Sequence, residues 1–102
     1  MNSKLNSAIG FAMKAGRLKS GDFVTEKLIR AKGAKIALID TKASDNTRDK
    51  YRDLCAHNGT ELIEVEELGR WIGKPGRMLA AVTDEGFAQM IRRALAQEKT
   101  ES

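Results

Sequence analysis

Apolar residues along this chain follow two different periods. From Ser3 to Ala15, Leu5, Ala8, Ile9, Ala12 and Met13 recur at helical spacing, which predicts an amphipathic helix with Gly16 after it. Asp22 to Ala31 predicts a second helix, with Val24, Leu28 and Ala31 on one side and an entry through Ser20-Gly21-Asp22. Arg17 to Gly21 reads as a short basic link between them. Lys35 to Asp40 predicts a strand, and Ile36 to Ile39 are apolar without alternation, as in a strand covered on both faces. Thr47 to Asn58 predicts a third helix with Tyr51, Leu54 and Cys55 inward. Glu61 to Val65 then reads as a strand, Glu66 to Ile72 as a short helix, and Met78 to Thr83 as a strand. Asp84 is placed to cap a last helix that buries Phe87, Met90 or Ile91, Ala94 and Leu95. This alternation predicts an α/β fold, a three-layer αβα sandwich with a short mixed sheet between helices. Strands linked through helices are expected to run mostly parallel.

At 102 residues the chain is expected to form one domain, residues 1–97, followed by a short disordered polar tail at 98–102. No apolar run is long enough for a membrane helix, and no signal-peptide core follows Met1, so a cytoplasmic protein is the expectation. One cysteine and one histidine exclude an internal disulfide and most metal or triad chemistry, and no cofactor is expected.

Charge changes the picture. Through Lys35 the chain has eight basic residues against Asp22 and Glu26, a net of +6; the remainder nets −2. A positive front third on a neutral to acidic body suits a localised anionic partner, most often nucleic acid. The plain alternative is a solvated lysine-rich surface.

Candidate chemistry is sparse. Cys55 and His57 stand two apart on a helix and so point away from each other, and Cys55 falls on the buried stripe. Asp40 and Asp84 lie at strand ends, where α/β folds bind ligands, yet no nucleophile–base pair accompanies either one. The first can also open a loop and the second cap a helix. Gly73-Lys74-Pro75-Gly76-Arg77 is a glycine-rich turn with two cations, able to offer N–H groups to a phosphate or merely to reverse the chain. Ser20-Gly21-Asp22 opens a helix that carries Lys27 and Arg30, although Asp22 and Glu26 oppose an anion there.

Two blocks carry a resemblance. Gly21-Asp22-Phe23-Val24-Thr25-Glu26-Lys27 fits a Gly-x-x-x-Thr-x-Lys helix start, and Glu67-Leu68-Gly69 followed by Gly73-Lys74 fits a Glu-Leu-Gly-x-x-x-Gly-Lys segment before the last strand. From about Leu18 to Ile91 the chain resembles the kink-turn RNA-binding ribosomal-protein family, which includes archaeal and eukaryotic large-subunit proteins and small bacterial homologues. The resemblance implies an αβα sandwich that grips RNA at one end. It implies that Gly21, with Asp22 beside it, approaches the RNA, that Lys27 and Arg30 contact phosphate, and that Lys74, Gly76, Arg77 and Met78 belong to a second loop closing over an extruded nucleotide. At the family's two guanine-reading positions this chain has Phe23 and Val24, which cannot make polar edge contacts. On the scale known for DNA, each lost bidentate contact costs about 1–3 kcal/mol. Phe23 can instead stack on an unpaired base or staple the helix start.

Three functions follow, in order. The first is a monomeric, non-catalytic module of the ribosome or translation apparatus that binds structured RNA, ribosomal RNA among the candidates, within a ribonucleoprotein. The second is a protein-interaction adaptor on the same fold, with Phe23 and Val24 in an apolar patch. The third is a small enzyme using Asp40 or Asp84.

Overall fold

The computed structural model describes residues 3–101; Met1, Asn2 and Ser102, the last in the expected tail, lie outside them. Element order is α1 (Ser3–Lys14), β1 (Leu18–Ser20), α2 (Asp22–Arg30), β2 (Ile36–Asp40), α3 (Asp45–Asn58), β3 (Glu61–Val65), α4 (Leu68–Trp71), β4 (Leu79–Val82) and α5 (Glu85–Glu101). The four strands form one mixed sheet in the order β1-β4-β2-β3.

The apolar run of β2 is explained by its two covers. Ile36 and Leu38 join a core with Leu5, Ile9, Leu68, Ile72, Ala88 and Ile91 from α1, α4 and α5. Ala37 and Ile39 join a second core with Ile29, Tyr51, Leu54 and Cys55 from α2 and α3. β4 splits in the same way, with Ala80 and Val82 toward the first core and Leu79 and Ala81 toward the second. The sheet is therefore sandwiched between helices on both faces, as the alternation of elements predicts.

Two expectations need correction. Arg17 to Gly21 is not only a link, because Leu18–Ser20 pair antiparallel with Ala80–Val82 as an edge strand. The sheet is not mostly parallel either: β2 runs parallel to β3 but antiparallel to β4. Strand direction depends on how the chain returns past α4 and the 73–78 turn, which hydrophobic period does not encode. Helix α5 runs from Glu85 to Glu101. No glycine or proline interrupts its last turns, and Gln97, Glu98 and Lys99 are good helix formers. Ser44 caps α3 by accepting the Thr47 N–H at 3.2 Å, which moves that helix start ahead of Thr47. Among the described residues, no helix is long and apolar enough to cross a membrane, and no group of three acidic, histidine or cysteine side chains could hold a metal.

Candidate nucleic-acid interface

The start of α2 is built around a glycine in a conformation other residues rarely adopt. Gly21 has φ 116° and ψ 154°, in the region that is essentially restricted to glycine. Its N–H donates to the Leu79 carbonyl of β4 at 2.9 Å. Arg77 lies directly against it, donating from Nη1 to the Ser20 carbonyl at 2.9 Å. A Cβ added at Gly21 would lie 2.5 Å from that same Nη1. The junction from β1 into α2 and the turn before β4 are therefore one contiguous surface.

Tyr51 of α3 holds the first residue of α2. Its buried hydroxyl donates to the Asp22 carboxylate and lies 2.9 Å from the Asp22 carbonyl oxygen. Burial, and then the hydrogen bond to Asp22, push the Tyr51 hydroxyl well above its ordinary pKa, so it remains a donor. Asp22 thus faces a tyrosine of the protein itself, and its charge is partly used there.

On the outer side of α2, Phe23, Glu26, Lys27, Arg30 and Ala31 line an open concavity of about 500 Å³. Phe23 is 82% exposed, so it does not staple the helix start. Glu26 is bracketed by two cations, with Lys50 Nζ at 2.8 Å and Arg30 Nη2 at 2.9 Å. Hydrogen bonds from Lys50 first, then Arg30, lower its carboxyl below the usual range. Lys27 makes no ion pair among the described residues and is exposed. It is the freest cation of this helix, whereas Arg30 is partly committed.

The second loop is seated by α4. Lys74 N–H donates to the Gly69 carbonyl at 2.8 Å, and a Cβ at Gly69 would meet Lys74 O at 2.6 Å and Gly76 N at 3.1 Å. Only a residue without a side chain lets the loop lie this close. α4 is in turn pinned by Asp40, whose buried carboxylate accepts Leu68 N–H at 2.9 Å and Lys42 N–H at 2.7 Å. Asp40 therefore has the plainer role of organising loops, and Asp84 caps α5 by accepting Phe87 N–H at 3.0 Å. Cys55 is buried, and burial raises its thiol to about 11, which leaves it protonated and unreactive near neutrality.

The structure thus brings Gly21 and Arg77 together, and groups Phe23, Lys27 and Arg30 in one concavity. Lys74 and Gly76 lie against α4 instead. Met78 is half-buried against the second core, and its carbonyl accepts Asp40 N–H at 2.8 Å. Sequence reasoning missed Tyr51 as the anchor of Asp22, Lys50 as a cation beside Glu26, and Gly69 as the seat of the loop. Gly69 alone had a signal, since it stood in a recognised motif with no physical reason attached.

Residues 3–92 match the ribosomal protein L7Ae/L30e/S12e/Gadd45 family. The chain belongs to this family. It is 40% identical over 86 residues to the RNA-binding protein YlxQ of Bacillus subtilis, covering 81% of this chain and 86% of that protein. It is 35% identical over 95 residues to the YlxQ of Enterococcus faecium, covering 90% and 91%. A solved structure of a protein of unknown function from Bacillus halodurans superposes with a TM-score of 0.85 at 26% identity, covering 91% of this chain and 97% of that one. The 15.5 kD RNA-binding protein of Giardia lamblia shares the fold, with a TM-score of 0.75 at 13% identity, over 96% of this chain and 87% of that one. The resemblance drawn from the two sequence blocks is therefore to the right family, and this family's three-layer fold is the one observed.

Proposed function

We propose that this chain is a non-catalytic RNA-binding protein that grips structured RNA between the Gly21–Arg30 helix start and the Lys74–Met78 loop. The observation that carries the reading is the contact of Arg77 with the Gly21 junction beside an open surface bearing Phe23 and Lys27. Support comes from the YlxQ relatives, which are RNA-binding proteins by name. Lys27 and Arg77 supply phosphate contacts. Phe23 supplies a stacking face for an unpaired base, worth about 1–3 kcal/mol. Asp22, held by Tyr51, sets the entry angle of the helix and does not itself meet phosphate. The protein acts as a cytoplasmic monomer within a ribonucleoprotein.

The test is a binding titration at two salt concentrations. The RNAs are a kink-turn, the same RNA with its G·A pairs replaced, and a plain duplex. Binding should fall as salt rises, and Lys27→Ala should reduce the salt slope by about one. Phe23→Ala should weaken binding to the kink-turn more than to the plain duplex, which offers no unpaired base. Unchanged affinity in both Lys27→Ala and Arg77→Ala would mean that the site lies elsewhere. Absence of binding at either salt would remove RNA as the partner.

A further inference from the structure

Three large hydrophobic side chains are exposed among the described residues, and Phe23 accounts for one of them. The other two, Phe11 at 54% and Met90 at 43% exposure, line a single groove between α1 and α5. That groove lies on the opposite face of the sheet from α2, since α1 and α5 cover the first core and α2 covers the second. Its volume is about 490 Å³, and its floor includes the small buried residues Ala8 and Ala94. It extends along α5 from Gly86 to Gln97, about 16 Å of helix at 1.5 Å per residue.

The charge in the groove has one sign. Lys4 and Arg93 line it, and no aspartate or glutamate does. Neither cation makes an ion pair among the described residues, whereas the adjacent Arg92 is held by Glu85 at 2.9 Å and Glu61 at 3.0 Å. An apolar trough with small residues below, large flexible ones at its rim and unpaired cations suits an amphipathic helix. The cations select acidic flanks on that helix. A second copy of this chain fits poorly, because a two-fold contact of the groove with itself would bring its cations together with no carboxylate among the lining residues to offset them. RNA fits less well, because only two cations line the groove and Ala8, Phe11, Met90 and Ala94 make much of the surface between them apolar.

We propose that the α1–α5 groove docks a helix from a protein partner, with a leucine-type apolar stripe flanked by acidic residues. This surface is independent of the RNA reading and leaves the α2 face free, so both partners can be held at once.

The probes are two short synthetic helices with the same leucine stripe, one flanked by glutamate and the other by lysine. The glutamate-flanked helix should bind by fluorescence anisotropy and shift the NMR signals of Phe11 and Met90. The lysine-flanked helix should bind at least about tenfold more weakly. Phe11→Ser with Met90→Ser should abolish binding while leaving the thermal midpoint and RNA affinity close to those of the parent, because both side chains are exposed and lie outside the two core clusters. Lys4→Glu with Arg93→Glu should reverse the preference between the two helices. No binding of the glutamate-flanked helix, equal binding of both, or shifts confined to other surfaces would overturn the proposal. So would self-association lost in Phe11→Ser/Met90→Ser, which assigns the groove to a second copy, or RNA-induced shifts at Phe11 and Met90, which assign it to RNA.

Discussion

On opposite faces of one sheet, α2 and the α1–α5 pair each present an exposed phenylalanine near basic side chains, but they hold these materials differently. On the α2 face the backbone is fixed from three directions: Gly21 to Leu79, Ser20 to Arg77, and Asp22 to Tyr51. Its charge is mixed, with Glu26 between Lys50 and Arg30. On the α1–α5 face an open, largely apolar groove lies between two long helices, and no carboxylate among the described residues lines it. The comparison shows that a basic front third is not one patch. Lys4 and Lys14 belong to α1, whereas Lys27 and Arg30 belong to α2 on the other side of the sheet. Total charge says only that the chain is basic; the fold shows that its front-third cations are divided between the two faces of the sheet.

The largest way to separate the faces is Gly69→Ala. Its new Cβ would press on backbone atoms of the 74–76 loop, which cannot rotate away as a side-chain tip can. Overpacking of this kind costs about 1–3 kcal/mol, to be read by chemical denaturation. RNA affinity should fall at least about tenfold, a loss on the order of 1.4 kcal/mol, while helix binding at Phe11 and Met90 is retained. Tyr51→Phe comes next. It removes the anchor of Asp22 and should cost about 1 kcal/mol of stability, together with a few-fold loss of RNA affinity.

Glu26→Gln acts with the opposite sign. It releases Lys50 and Arg30 toward the concavity and should tighten RNA binding a few-fold in the same titration. The carboxyl's folded pKa is lowered from 4.5 by these two partners, so whatever stability they add is present above 4.5 and is lost as pH falls below it. RNA affinity should accordingly show no step from Glu26 between pH 5 and 8, a window taken above its unfolded value. The smallest effect is expected from Thr25→Val. Thr25 is fully buried and its Oγ1 has no hydrogen-bond partner among the described residues. Replacing that hydroxyl with a methyl group of similar shape should be neutral or stabilise by up to about 1 kcal/mol.

Much of the architecture was legible because burial imposes periodicity. α1, α2, α3, β2 and β3 were placed to within about three residues, the scatter expected for element ends. β1 was not legible, since only Leu18 of its three residues is buried and its pairing with β4 is a long-range event. The direction of β4 was hidden for the same reason. At the candidate interface, Gly21, Lys27 and Arg77 were candidates from the chain alone, while the bonds of Tyr51 to Asp22 and of Lys50 to Glu26 join separate helices and leave no local pattern. Phe23 shows the limit most clearly: its identity was plain, but whether it stapled the helix or faced outward was decided by its neighbours in space.

The most direct test of the two-face account is amide and side-chain NMR mapping of the protein titrated with kink-turn RNA at low salt. The account predicts shifts at Gly21, Phe23, Lys27 and Arg77, with Phe11 and Met90 unmoved. Shifts centred on α1 and α5, with the Gly21–Arg77 junction silent, would contradict it.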